Sequence, residues 1–437
     1  MCPDGLKVKK SDVSGVVVAT LYTKKSVSHC LSVIRAALIV LLFLIFSNAC
    51  HSGQNTAQSG ITKWVGTWGT AQQPVEPHNM PPLPGLSNNT LRQIVRVSIG
   101  GDRLRVRFSN EFSSAPVIIK DAHIAASAGG SSIDTDTDRA LAFYGKSAVT
   151  INPGSTATSD PFPFPLKPRS NVAISIYFGN TSPDVTGHPG SRTTSYIRSG
   201  DMVTAVNLPG AAQTDHWYII DGIEVLTPDS AKVVVVLGNS ITDGRGSGTN
   251  RQDRWPDELA RRFQENTATS NIAVLNMGIG GNCVLRDCLG PAAVTRFENE
   301  VLEQNGVHWL IILEGINDIG QAEGKDGAAD VAKNLISAYE QMIDLAHERG
   351  ILVYGATLLP FGGSFYDNKW RESARQTVND WIRSSGRFDA VIDLDKALRD
   401  PANPTQMLPT ADTGDHLHPN ETGHRMMAKA VDLKLFH

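Results

Sequence analysis

Three residue types that together activate a hydroxyl stand far apart in this chain. Ser240 lies in Gly238-Asn239-Ser240-Ile241-Thr242-Asp243-Gly244, and Asp415 and His418 lie in Gly414-Asp415-His416-Leu417-His418-Pro419. A serine hydroxyl is a poor nucleophile until an imidazole takes its proton, and the imidazole needs a carboxylate to hold its tautomer and stabilise its cation. Asp415 and His418 are three apart on one loop, close enough to form that pair. Attack on a carbonyl also creates an oxyanion, which needs donors set in advance: the Ser240 N–H, a glycine N–H and a side-chain amide. Two more polar clusters offer them, Asn276-Met277-Gly278-Ile279-Gly280-Gly281-Asn282 and Glu314-Gly315-Ile316-Asn317-Asp318. Asn317 fits the amide, while Gly278, Gly280 and Gly281 compete for the glycine. Each residue alone has a plainer reading. Ser240 is also an ordinary N-cap, His418 a loop histidine, Asn317 a cap before Asp318, and Glu314 either a structural carboxylate or a partner for substrate.

The elements that must bring these clusters together alternate between strand and helix from residue 231 onward. Residues 233–237 are a short apolar run without alternation, as expected of a strand buried on both faces. A helix over 256–264 follows, with Pro256 suited to a first helical turn. Further strands are expected at 272–276, 307–313, 351–358 and 390–394. Helices are expected across 292–303, 328–348 and 369–384, with a closing helix from about 421. Such alternation requires a parallel sheet of about five strands covered on both faces. The carboxyl ends of its strands share one edge, where the four polar clusters converge. Residues 63–226 read differently, as short strands punctuated by Gly, Pro, Asn and Asp, which indicates an all-β sandwich or jelly roll. That region is either a cap or substrate wall for the second domain or a separate carbohydrate-binding module. Its aromatics Trp64, Trp68, Trp217 and Tyr218 serve equally well as core.

The cluster around Ser240 resembles the first sequence block of the SGNH or GDSL hydrolases, with Asn239 where many members carry Asp. Gly281, Asn317 in Gly-x-Asn-Asp, and Asp415-x-x-His418-Pro419 match later blocks in order. The resemblance covers residues 231–437 and implies a flavodoxin-like three-layer α/β/α fold and ester hydrolysis without a cofactor. It implies Ser240 as nucleophile, His418 as general base, Asp415 as its orienter, and Ser240, Gly281 and Asn317 as oxyanion donors. Gly281 is preferred because the family's donor glycine comes five residues after the Asn that ends the strand. Trp64-Val65-Gly66-Thr67-Trp68, Leu91-Arg92-Gln93 and Leu313-Glu314-Gly315-Ile316-Asn317-Asp318-Ile319-Gly320 further resemble a subgroup with a preceding β-domain. That subgroup is similar to bacterial arylesterases and acetylxylan-type carbohydrate esterases. The expected substrate is therefore a short-chain acyl ester, with acetylated plant polysaccharide first and a lipid or aryl ester second. A silent glycan-binding surface protein is the competing class, although neither the serine nor the histidine is missing.

The rest of the chain bounds these expectations. Lysines at 7, 9, 10, 24 and 25 and Arg35 precede an unbroken apolar run at 36–46, and Ser47-Asn48-Ala49-Cys50 follows. This pattern reads as a secretory signal peptide over 1–50, with 51–62 as a linker. The run is too short to span a bilayer unless extended back across Arg35. Cys50 resembles the lipidated cysteine of bacterial lipoproteins, but Ser47 replaces the usual leucine, so either a free or a membrane-attached exported protein fits. The expected location is periplasmic, outer-membrane-associated or extracellular. Cys283 and Cys288 are then a candidate disulfide, or two reduced thiols. At 437 residues, 41% hydrophobic, 19% charged and a net charge of −4, the chain is globular and has no basic cluster for nucleic acid. It carries no P-loop or dinucleotide fingerprint. His416 and His418 lack a marked third ligand, so no metal is expected.

Overall fold

Val233, Val234, Val235, Val236 and Leu237 are all fully buried, in the middle of the strand Lys232–Gly238. β-branched side chains on both faces suit a strand covered from both sides. In the computed structural model, which describes residues 62–437, this strand is second in a five-stranded sheet. The order is Ile272–Gly278, Lys232–Gly238, Val307–Leu313, Leu352–Ala356 and Ala390–Ile392, and every pairing is parallel. The first strand in sequence is therefore flanked by the second and third, which makes its carboxyl end the switch point of a flavodoxin-like sheet. Register reinforces this, because Gly238 pairs with Gly278 on one side and Leu313 on the other. The three strand-end clusters thus begin at one level.

Helices Trp255–Gln264, Gly324–Glu348, Lys369–Ser384 and Glu421–Ala430 connect and cover the strands. Two expectations need correction. The strand expected at 390–394 ends at Ile392, because Asp393 caps a short helix, Leu394–Leu398, by accepting from the Lys396 N–H. The helix expected across 292–303 is a single α-turn, Ala293–Phe297, that widens into a π-turn at Glu298–Leu302. Within it, buried Arg296 pairs with Glu300.

The preceding region is all β. One antiparallel sheet orders Thr62–Gly69, Ile220–Pro228, Gly101–Asn110 and Phe162–Leu166; a second is built around Asn89–Arg96, Asn171–Phe178 and Val117–Gly129. Alternation drives it. Leu104, Val106 and Phe108 are fully buried, while the alternating Arg103, Arg105 and Arg107 take the other face, where Arg105 pairs with Glu224 and Arg107 with Asp221. Thr62 pairs with Pro228, so the first strand begins at residue 62 and its partner runs past the expected boundary at 226. The expected signal peptide, linker residues 51–61 and Cys50 lie outside the described residues. Among the described residues, no helix is long and apolar enough to cross a membrane.

The two regions share one continuous hydrophobic core, in which Val65, Phe108 and Ile174 join Val235 and Leu310. Trp68, Trp217 and Tyr218 belong to this core rather than to an exposed platform. Polar contacts seal the seam. Ser98 Oγ donates to the Val274 carbonyl (2.8 Å) and accepts from the Val274 N–H (3.2 Å), and the Gly66 N–H donates to the Asn305 carbonyl (3.0 Å). Thr70 adds a parallel bridge to Asn276. The β region thereby covers the edge strand of the parallel sheet, an edge that would otherwise invite pairing with another chain. A chain of residues 231–437 alone is expected to lose cooperative thermal unfolding and to aggregate. Circular dichroism melts against residues 62–437 check this, and a native-like transition in the shorter chain would refute it.

Candidate active site

Ser240 opens a four-residue helix, Ser240–Asp243, directly after the central strand. Asn239 caps it, its side-chain oxygen accepting from the Ile241 N–H at 3.1 Å. As the first helical residue, Ser240 holds an N–H with no intrahelical acceptor. Its Oγ lies 2.8 Å from His418 Nε2, and His418 Nδ1 lies 2.6 Å from Asp415 Oδ2. With Nδ1–H donating to the carboxylate, Nε2 is left to accept the serine proton. The other Asp415 oxygen accepts from the N–H groups of Leu417 (3.0 Å) and His418 (2.9 Å) and from Thr413 Oγ1 (2.9 Å). Burial opposes the Asp415 charge, but the bonds from the His418 ring and from these N–H groups outweigh it and hold the carboxyl well below its usual range. For His418, burial dominates and lowers the imidazole, against the upward pull of Asp415. His416 takes no part in this line of contacts: its Nδ1 pairs with Asp412 at 2.6 Å.

Gly278, Gly280 and Gly281 separate in space. A Cβ on Gly278 would come within 2.2 Å of the Asp243 nitrogen, so this glycine lets the second strand press against the serine helix. Gly281 has φ of +69°, the left-handed region that glycine adopts freely, and lies beside Leu289. Asn317, buried in the short helix Ile316–Gly320, donates from Nδ2 to the Asn282 carbonyl at 2.7 Å. The segments that carry Gly281 and Asn317 are therefore tied directly to each other. Asp318 strengthens the tie by accepting from the N–H groups of Val284 (2.8 Å) and Leu285 (3.1 Å). Asn282 Nδ2 reaches back to the carbonyls of Leu289 (2.9 Å) and Pro291 (2.7 Å). Cys283 and Cys288 are joined by a disulfide that closes this loop.

Several residues that hold the site were not singled out from the sequence. Asp243, three residues after Ser240 and buried, meets His188 Nε2 at 2.9 Å and the Arg192 guanidinium at 3.7 Å. The other nitrogen of His188 faces the Ala71 carbonyl at 2.9 Å, so the ring is fixed between that carbonyl and the Asp243 carboxylate. Burial works against the Asp243 charge, but His188 and then Arg192 outweigh it and keep the group ionised. Arg192 also donates from Nε to the Gly244 carbonyl at 2.7 Å. Arg296 donates to the carbonyls of Met277 (2.7 Å) and Gly238 (3.1 Å), joining two strand ends beneath the site. Asp243 lies within a block already noted, but His188, Arg192 and Arg296 carry no local signal.

Glu314 is buried, and neither carboxyl oxygen has a hydrogen-bond partner among the described residues. The Asn239 amide is among its polar neighbours, and the Asn239 nitrogen is likewise without a partner among the described residues. Burial pushes this carboxyl well above its ordinary range, against the pull of Arg296 and with help from Asp318.

Residues 236–426 match the model of the GDSL-like lipase/acylhydrolase family, and this part of the chain is an ester-cleaving hydrolase domain of that type. None of the curated proteins compared with the chain matches it. Similar solved structures include a member of the lipolytic protein G-D-S-L family from Veillonella parvula, at 22% identity and a TM-score of 0.36, covering 47% of this chain and 98% of that one. An acetylxylan esterase from Geobacillus stearothermophilus is 20% identical with a TM-score of 0.36, covering 46% of this chain and 92% of that one. A GDSL-like lipase from Bacteroides thetaiotaomicron is 21% identical with a TM-score of 0.32, covering 46% and 85%.

The raised Glu314 carboxyl gives a signed expectation. Above about pH 4.3 the unfolded chain gives up this proton while the folded chain keeps it, so the group's contribution to stability falls as pH rises. Glu314→Gln keeps an acceptor for Asn239 and removes that dependence. The difference in melting temperature, variant minus wild type, is expected near zero at pH 4 and increasingly positive toward pH 8. A difference that does not change with pH would refute the assignment.

Proposed function

We propose that the protein is an exported serine esterase that removes short acyl groups, acetyl foremost, from esters of a hydroxyl-rich alcohol such as plant polysaccharide. The observation that carries this reading is the continuous line from Ser240 Oγ through His418 to Asp415, at 2.8 and 2.6 Å. Ser240 attacks the ester carbonyl as His418 takes its proton. The tetrahedral oxyanion is received by the N–H groups of Ser240 and Gly281 and by Asn317 Nδ2. His418 then protonates the departing alcohol, and water, activated by the same imidazole, releases the acid from the acyl-enzyme. The chemistry needs no cofactor. Asp415 keeps the imidazole in the tautomer that accepts at Nε2 and stabilises the cation that forms.

The substrate reading rests on what surrounds the glycine donor. The groove beside Gly281 is lined by Arg286, Asp287, Gln321 and Tyr366, with Leu289 and the disulfide at Cys288 as apolar members. The charged and amide side chains of this lining offer donors and acceptors to a sugar. Exposed Phe365 and Leu289 at its margin are the features that favour an aryl or lipid ester instead. Export, and attachment to a membrane through Cys50, belong to this proposal on the strength of residues 1–50.

The test measures acetate released from acetylated xylan, with p-nitrophenyl acetate and a long-chain p-nitrophenyl ester in parallel. Wild type is expected to act on the two acetyl substrates and Ser240→Ala on none. Activity on the long-chain ester alone would move the substrate to lipid, and full activity in Ser240→Ala would overturn the mechanism.

The pH profile provides a second expectation. The general base must be neutral, so kcat/KM rises with pH and levels off as His418 loses its proton. With burial lowering His418, the midpoint is expected below the ordinary histidine value of about 6.5. Asp415→Asn removes the group that raises His418. It is expected to move this limb to still lower pH while kcat falls by about 10³–10⁴-fold. A limb that stays in place in the variant would show that another group titrates.

A further inference from the structure

Asn317 is held by two contacts on opposite ends of its amide. Nδ2 donates to the Asn282 carbonyl at 2.7 Å, and Oδ1 accepts from the Tyr366 hydroxyl at 3.0 Å. A carbonyl oxygen only accepts, so the first bond establishes which end of the amide is nitrogen. A single bond would leave the amide plane free to swing about it, and the second bond removes that freedom. One Nδ2 hydrogen is engaged by Asn282 and the other is left over.

Tyr366 is built to hold this position. It lies in the segment between the strand Leu352–Ala356 and the helix Lys369–Ser384, and it lines the groove that includes Gly281. Its ring packs on Gly320, in the same short helix as Asn317: a Cβ there would lie 2.4 Å from the ring. The segment braces itself, with the Tyr366 N–H on Ser364 Oγ (3.1 Å), the Asp367 N–H on the Ser364 carbonyl (3.0 Å) and the Gly363 N–H on Asp367 Oδ2 (2.9 Å). Burial raises the phenol further above its ordinary range, so it keeps the proton it donates.

We propose that Tyr366 is a positioning residue for the oxyanion amide, its hydroxyl holding Asn317 so that the second Nδ2 hydrogen points at the ester's carbonyl oxygen. This rests on the serine-esterase reading above. It adds a residue that belongs to none of the sequence blocks and sits nearly fifty positions beyond Asn317.

The experiment compares wild type, Tyr366→Phe, Asn317→Ala, the double variant and Ser240→Ala on p-nitrophenyl acetate. Tyr366→Phe retains the ring, and its melting temperature is measured alongside. Asn317→Ala is expected to lower kcat by about 10²–10³-fold, the usual loss for one oxyanion donor. Tyr366→Phe, which leaves the donor present but loosely held, is expected to lose a smaller part of that, roughly tenfold. Its KM is expected within twofold of wild type and its acid limb unmoved. The double variant is expected to be no slower than Asn317→Ala alone, because the hydroxyl has nothing left to position. Gly320→Ala, which displaces the ring, is expected to reproduce the kcat loss without moving the acid limb. An unchanged kcat in Tyr366→Phe, a loss confined to KM, or a multiplicative loss in the double variant would overturn the proposal. Activity surviving in Ser240→Ala would instead overturn the reading beneath it, so the two failures are distinct.

Discussion

The buried carboxylate of Asp243 is the constraint on which the site depends. It sits one helical turn beyond Ser240, and the side chains that face it, His188 and Arg192, come from the β region. Removing one partner of a buried ion pair typically costs about 3–5 kcal/mol, because the remaining charge stays desolvated. The serine turn is therefore held from outside the sheet that carries it. His188 is in turn stacked on Trp217, with ring centroids 5.8 Å apart, and Arg254 lies over the same indole. The placement of Ser240 thus reaches through one carboxylate into the core of the preceding region. That is a physical reason for the two regions to share a core instead of being joined by a linker.

The oxyanion side is organised by a different means. The loop after Gly281 is tied by backbone N–H groups donating to Asp318, by the disulfide and by the Asn282 side chain, whose oxygen accepts from buried Arg296 at 3.1 Å. Preorganised donors lower a barrier only if they need not rearrange when charge appears. Crossed ties between the Gly281 loop and the short helix that carries Asn317 meet that requirement.

What was legible in the sequence follows from how local each signal is. The valine run, the Gly-Asn-Ser turn and the Asp-x-x-His loop are short, contiguous and tied to strand or helix ends, and the structure brings Ser240, Asp415 and His418 into direct contact. That about five strands pair in parallel followed from alternation, while their flavodoxin-like order was implied only by the family resemblance. Helices of four or five residues, such as Ser240–Asp243 and Ile316–Gly320, have no period to read. His188, Arg192 and Arg296 act across long separations from segments whose composition is ordinary for loops and turns. Their roles exist only after folding. Tyr366 is the same case at closer range, since nothing around it distinguishes a groove tyrosine from a loop tyrosine.

Asn239 and Glu314 make sense together rather than singly. The resemblance places Asp at position 239 in many relatives, where a carboxylate would stand beside the buried carboxyl of Glu314. Two like charges cannot share a dry site without one of them taking a proton. Asn at 239 removes one charge while keeping the oxygen that caps the serine helix through the Ile241 N–H. Its amide nitrogen then faces the carboxyl instead of a second carboxylate facing it. Glu314 in its neutral form costs less to bury than a carboxylate, with Arg296 supplying the nearest positive charge. The departure at 239 and the acid at 314 are two halves of one electrostatic arrangement beneath the serine.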